Sequence, residues 1–444
     1  MLLRCLWKFS KNCAILINKQ VKGVVKMSIK IETLQTRRKN LIDSMEQGSI
    51  AIILSGTPLA RTGDQFHDFV VWRNFFYLTN INRSNLVLVL IKSDVGIREL
   101  LFIDEVSEIE EKWSGHRMKK PEASTLSGIK EESIHGISDL TKMLGSYMMN
   151  EGIKHGYFDL ERITYKHFDS EQVVFAKEFQ AQYPFITLQN LYPTIAKMRQ
   201  IKSAEEIENM RIAIEKTRIG IESMMNVSKP GMFEYEIEAH YDFAAKSGGV
   251  QEKAFHTIAA SGVNATVLHY DTNNTQTKDG DLILFDLGCA WNHYSADISR
   301  TFPVNGKFSD RQKEVYNAVL DVEKNILSEI KPGVKMSELN KLARTMLADK
   351  CRDLGLIGNN DDDVLNYYYH SIGHALGLDT HDVGGREFIL EPGMVITIEP
   401  GLYIEKESIG IRIEDDILVK EDGYENLSAA IIKEIDDIEA FMEK

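Results

Sequence analysis

Apolar positions recur along the chain with two different periods, and the changes of period mark its elements. Over 36–45, Leu41, Ile42 and Met45 fall on one side of a helix that Gly48 ends. Short apolar runs at 50–54, 75–78, 86–91 and 100–103 read as strands, and 156–160 as another. A helical pattern covers 138–149. Trp72, Phe75, Phe76 and Tyr77 read as core. No glycine loop that could cradle phosphate appears, so residues 30–195 read as an α/β domain without a nucleotide site. A boundary follows at 193–202. Ser203, with Glu206 three residues on, forms a capping box. Ile207, Met210, Ile214, Ile221 and Met224 give the helix behind it an apolar stripe, and Lys229-Pro230-Gly231 ends it. Further helices are predicted over 233–246, 310–330 and 336–354, followed by a strand-rich end over 367–432. There is no short-period repeat and no low-complexity tract.

Two apolar stretches carry acids where a buried strand should carry none. In DLILFDLGCAWNHYSADISRTFP (281–303), Asp286 follows Leu282, Ile283, Leu284 and Phe285, and Asp297 stands between Ala296 and Ile298. A carboxylate in a buried strand is unfavourable unless something pairs with it. A two-residue turn at Trp291 and Asn292 sets Asp286 opposite Asp297, where facing Cβ atoms lie roughly 4.5–5.5 Å apart and like charges repel. The runs 394–404 and 410–419, around a turn at Lys406-Glu407, set Glu399 opposite Glu414 in the same way. Four carboxylates carry a charge that balances two divalent cations. A site rich in carboxylate with one imidazole suits Mn²⁺ and its neighbours. Two metals about 3.5–4 Å apart would acidify a bridging water and polarise a carbonyl.

The run HSIGHALGLDTHD places His370, His374 and His381 between the two carboxylate stretches. No glutamate follows His370, and Gly373 and Gly377 oppose a long helix, so this is not an HExxH zinc motif. As a cluster these histidines read as functional. His269, in NATVLHY, is isolated, and spacing assigns it no role.

Composition narrows the class. The chain has 444 residues, 43% hydrophobic and 27% charged, with a formal charge of −14. That is ordinary globular composition with room for two domains. The acidic balance argues against nucleic acid as a partner. Cys5, Cys13, Cys289 and Cys351 have no zinc-ligand spacing and imply no disulfide framework, which favours a reducing compartment. No apolar run approaches the about 20 residues needed to span a bilayer, so no membrane partner is expected. Residues 1–29 carry Arg4, Lys8, Lys11, Lys19, Lys22 and Lys26, and no acid precedes Glu32. They read as an extension upstream of a true start at Met27, giving a cytoplasmic protein, or as a mitochondrial transit peptide. The apolar run 13–17 is short for a secretory signal.

The motifs resemble those of the pita-bread metallopeptidases, and within them the aminopeptidase P (Xaa-Pro aminopeptidase) family. The resemblance is carried by LHY at 268–270, FDLG at 285–288, YSADISRTFPVNGKFS at 294–309, HSIGHALGLDTHDVG at 370–384, EPGMVITIEPGLYI at 391–404 and GIRIEDDILV at 410–419. RRKNLIDSMEQGS at 37–49, NFFYLTNI at 74–81 and LVLVLIKSD at 86–94 extend it to the N-terminal half, and the tail 425–442 to the end. It implies an α+β protein: a pita-bread catalytic domain at 196–444 preceded by a smaller α/β N-terminal domain at 30–195. It implies five ligands, Asp286, Asp297, His374, Glu399 and Glu414, for two divalent ions, manganese first among them. Glu399 would also shuttle protons. His269 and His381 would hold the scissile carbonyl and the tetrahedral intermediate. His370 would stand beside the proline pocket, and Arg412 would support the ligands from behind. The implied reaction is hydrolysis of the N-terminal Xaa–Pro bond of peptides, in a homodimer or homotetramer. Gly373 where the family often has Ser, Thr380 where Val is common, and a short loop before Gly410 depart from the pattern and blur the preferred peptide length. Prolidase, which takes Xaa-Pro dipeptides, is the nearest rival. Creatinase shares the fold without the metal cluster, and a non-catalytic binding module of the same fold is the reading from another class.

Overall fold

The computed structural model describes residues 29–162, 166, 168–385 and 387–443. The N-terminal extension, with Met27, Cys5 and Cys13, lies outside the described residues. The chain divides between Arg199 and Gln200 into two units.

The first unit is built on a six-stranded mixed sheet. Its order is Ile134–Gly136, Gly96–Ile103, Val87–Ser93, Ser49–Leu54, His155–Phe158 and Thr187–Asn190. The strands Ser49–Leu54 and Val87–Ser93 are almost continuously apolar and buried, as central strands covered on both faces are. Leu144 and Met148 of helix Leu140–Asn150, and Ala176 and Phe179 of helix Glu171–Gln182, share one core with Ile50, Ile52, Val89 and Phe102. The run 75–78, expected as a strand, lies instead in the helix Arg73–Thr79. Its residues are buried on every side, which removes the periodicity that separates a short buried helix from a strand. Asn80, in the left-handed conformation at φ 58°, ends it. Phe75, Phe76 and Tyr77 are core, as expected, and Trp72 is half-buried with its indole nitrogen donating to Asp159.

The second unit runs through one pattern twice. Two helices, Ala204–Val227 and Glu234–Ser247, precede the antiparallel strands Ile258–Ser261, Leu282–Leu287 and Ile298–Pro303. Two more, Asp310–Ser328 and Met336–Asp353, precede the strands Val395–Ile398, Gly401–Ile404, Ile409–Arg412 and Asp415–Lys420. The capping box at Ser203 forms as read, with Ser203 Oγ accepting from Glu206 N and Glu206 Oε2 accepting from Ser203 N. Of the helical stripe, Ile214, Ile221 and Met224 join Ile283, Phe285, Ile298, Phe302, Ile396 and Ile411 in a single core, and Met210 is buried too. The segment 367–394 is largely irregular, so strands begin later than the sequence suggested, at Val395.

The two carboxylate hairpins differ from expectation in one respect. In the second, Ile398 pairs with Asp415 and Gly401 with Arg412, so Glu399 and Glu414 fall opposite each other as predicted. In the first, Trp291 pairs with Tyr294, and the turn is Asn292-His293 rather than Trp291-Asn292. Both turn residues have positive φ, 49° and 66°, the conformation that a tight two-residue hairpin demands. Asp286 therefore lies opposite Ser299. The register moves by two residues, so Asp297 keeps the same face, because strand side chains alternate with period two. The hairpin is tightest at Gly288, where a Cβ would overlap the Ala296 carbonyl oxygen. Gly288→Ala should lower stability by about 1–3 kcal/mol through forced backbone displacement, read as a lower urea midpoint. An unchanged midpoint would show that the hairpin yields.

Candidate metal centre

The hairpins bring their acids to the floor of one cleft of 480 Å³. All nine residues singled out from the sequence line it: His269, Asp286, Asp297, His370, His374, His381, Glu399, Arg412 and Glu414. Backbone contacts lock the two hairpins together there. Glu414 N donates to Ser299 O at 3.1 Å, and Glu399 N donates to Ile372 O at 2.8 Å, so both glutamates leave their own ladder and reach neighbouring segments.

Donor atoms of Asp297, His374 and Glu414 lie within 4.8 Å of one another. His374 Nδ1 donates to the Ala375 carbonyl at 3.0 Å, which leaves Nε2 as the free lone pair. That nitrogen stands 3.4 Å from Asp297 Oδ2 and 3.7 Å from Glu399 Oε1. Asp286 Oδ2 accepts from Arg412 Nη2 at 2.6 Å, whereas its buried Oδ1 has no hydrogen-bond partner among the described residues. Glu414 Oε2 accepts from Ser299 Oγ at 2.8 Å. Burial and the neighbouring carboxylates push Asp297 and Glu399 well above the usual range, and Glu414 up to about 7. Buried acids that raise one another in this way, around an imidazole lone pair and an orphaned carboxylate oxygen, fit divalent cations. Hard oxygen donors with one nitrogen are the donor set such ions take.

A second network backs the cluster. Arg412 Nε donates to Ser299 Oγ at 2.7 Å, and Nη1 donates to Tyr403 Oη at 3.1 Å. Tyr403 in turn donates to His370 Nε2 at 2.8 Å, while His370 Nδ1 donates to Ser371 O at 2.8 Å. Burial and the Arg412 charge push His370 down to about 3, so its imidazole is neutral. His269 and His381 are exposed at the rim, and the His381 ring meets His374 edge-on at 4.3 Å. Phe255, Ile258, Leu268 and Tyr270 give the cleft an apolar wall.

Three participants were missed in the sequence. Ser299 sits two residues after Asp297 and so on the same face. Tyr403 joins Arg412 to His370. Asp416 accepts from Asp297 N at 3.2 Å, and burial holds its carboxyl well above the usual range. The run Glu414-Asp415-Asp416 in an apolar strand was the available signal for the last.

Comparison with known proteins places this geometry in a class. Residues 208–421 match the model of metallopeptidase family M24, and residues 34–154 match the aminopeptidase P N-terminal domain. The Xaa-Pro aminopeptidase of Escherichia coli is 34% identical over 435 residues, 93% of this chain and 97% of that protein. A Bacillus anthracis structure described as an aminopeptidase P is 46% identical with a TM-score of 0.91, covering 93% of this chain and 98% of that one. E. coli aminopeptidase P with the inhibitor Pro-Leu is 34% identical with a TM-score of 0.84, covering 94% and 98%. The chain belongs to the aminopeptidase P family of M24 metallopeptidases.

The raised carboxyls set a pH dependence. A group whose folded pKa exceeds its unfolded value favours the fold below the unfolded pKa, and that contribution is lost as pH rises through the folded value. For Glu414 the window runs from 4.5 to about 7. Metal-free wild type should therefore lose stability relative to metal-free Glu414→Gln as pH rises through that window, and divalent metal should reverse the loss. Calorimetric melting with and without Mn²⁺ checks this, and a gap independent of pH contradicts it.

Proposed function

We propose that this enzyme removes the first residue from peptides whose second residue is proline, with Asp286, Asp297, His374, Glu399 and Glu414 holding two divalent cations, manganese by preference. The observation that carries the reading is the convergence of these five donor groups beneath an apolar-walled cleft. The E. coli relative, bound by the inhibitor Pro-Leu, supports peptides as the substrate class. The metals, when bound, would supply Lewis acidity and a water acidic enough to attack at neutral pH.

The chain's own residues do the rest. Glu399 accepts a proton from the attacking water and delivers it to the proline nitrogen as the C–N bond breaks, acting as general base and then general acid. His269 holds the scissile carbonyl, and His381 donates to the oxyanion as the tetrahedral intermediate forms. His370 presents a neutral ring beside the proline pocket. Both its nitrogens are engaged, by Ser371 and Tyr403, so it acts by shape rather than by hydrogen bonding. Arg412 fixes Asp286 and stabilises the charge of the ligand set from behind. Proline is selected by the fit of its ring into the cleft.

The unit from Gln200 onward carries this chemistry, and the chain works as a homodimer or homotetramer. Among the described residues no helix is long and apolar enough to cross a membrane. A cytoplasmic site of action follows if Met27 is the start, and a mitochondrial one if residues 1–29 are a transit peptide. N-terminal sequencing of native protein distinguishes the two.

Glu399→Gln should leave the fold intact and keep less than about a tenth of wild-type turnover, because proton transfer is worth 10²–10⁴-fold. Turnover above that level would overturn the assignment. Wild type should cleave Xaa-Pro-Xaa-Xaa peptides faster than Xaa-Pro dipeptides by kcat/KM. Activity confined to dipeptides would mark a prolidase instead.

A further inference from the structure

We propose that Glu234 is the positioning residue for His269, and that it sets where this imidazole stands in the cleft. The inference deepens the functional reading above and rests on it. Glu234 opens the helix Glu234–Ser247 and is fully buried. Its carboxylate collects five donors. Oε1 accepts from Ser261 N and Ser261 Oγ, both at 2.7 Å, and from Asn264 Nδ2 at 3.1 Å. Oε2 accepts from Tyr270 Oη at 2.8 Å and from Thr275 N at 2.9 Å.

These donors come from both ends of the segment 261–275, and His269 lies inside it. The chain at Val267 and at His269 itself is exposed, and among the described residues none hydrogen-bonds the His269 imidazole. Its place is therefore set by the anchors on either side. One helical turn on, Glu238 Oε2 accepts from Asn273 Nδ2 at 2.9 Å, where the same segment bends through φ 45°. Two carboxylates at i and i+4 on one helix thus hold the loop. Tyr270, next to His269, both lines the cleft and donates to Glu234, so a shift at Glu234 reaches the cleft through a single residue.

The chemistry asks for a carboxylate. Five donors converge on a buried group, and an ionised carboxylate only accepts. Glutamine would turn its amide N–H₂ toward the Thr275 or Ser261 N–H, neither of which can accept. The Tyr270 hydroxyl could rotate to compensate, but a backbone N–H cannot. The loop would then be freed at one end, and a displacement of about 1 Å at a reacting group costs up to 10²-fold in rate.

The test compares wild type, Glu234→Gln, His269→Ala and the double variant. It reads kcat and KM on an Xaa-Pro peptide, bound metal and melting temperature. Glu234→Gln should retain wild-type metal content, lose about tenfold or more in kcat/KM, and add little to the loss already caused by His269→Ala. Unchanged kcat/KM in Glu234→Gln overturns the inference, and so do losses that multiply in the double variant, since those mark general weakening. If Glu234→Gln does not fold, Asn264→Ala takes its place, removing one donor from the same cradle. An about threefold loss that vanishes in the His269→Ala background supports the inference, and no loss overturns it. A wild type inactive on Xaa-Pro peptides would bring down the functional reading and this inference with it. A wild type that is active beside an unaffected Glu234→Gln would bring down the inference alone.

Discussion

The second unit depends on a repulsion. Asp286, Asp297, Glu399 and Glu414 are brought together beneath apolar walls, where burial and neighbouring carboxylates raise the cost of ionising Asp297, Glu399 and Glu414. Nothing in their side chains would assemble them. Backbone hydrogen bonds do it: the ladders set the register of each hairpin, and Glu399 N and Glu414 N, just beyond their ladders, donate to Ile372 O and Ser299 O. The residues around them are correspondingly specialised. Arg412 binds Asp286 and Ser299, and Ser299 binds Glu414, so one guanidinium ties both hairpins.

Behind the segment that carries Glu414 lies a second charged layer, in which Arg300, Asp415 and Glu323 are fully buried and Lys433 is half-buried. Arg300 donates to the Glu414 carbonyl at 2.6 Å and pairs with Asp415 at 2.6 Å, and it donates further to the carbonyls of Ser299, Ile431 and Ile432. Lys433 bridges Asp415 and Glu323. The tail of the chain is thereby tied to the segment that presents Glu414. Replacing both partners of a buried pair can be nearly neutral, but removing one leaves an uncompensated charge. The segment around Glu414 thus rests on packing that tolerates little change.

Much of this was legible in the sequence because acids in apolar strands are costly and therefore informative. The second hairpin was read with the right register because its turn is centred where the apolar runs end. The first was read with its turn one residue early, since Asn292 and His293 adopt left-handed conformations that their residue types alone do not fix. The consequence was small, because a two-residue register change preserves the face. Where periodicity vanished, reading failed: Phe75–Leu78 is buried all round and helical, and 367–394, where apolar and polar residues mix without a period, is largely irregular. His269 was invisible to spacing because it stands alone in the sequence, and the bonds that Ser261, Asn264, Tyr270 and Thr275 donate to Glu234 around it join residues far apart in the chain. Only motif resemblance gave it a role.

The central claim is that the two hairpins form one binding site for a pair of divalent cations. Metal stripped from the full chain and restored with Mn²⁺, then counted by elemental analysis after gel filtration, tests it most directly. The account predicts two ions per chain, and loss of bound metal in Asp286→Asn and Glu414→Gln while the fold persists. Fewer than two ions bound per chain in the wild type at saturating Mn²⁺, or full occupancy in both variants, would contradict it.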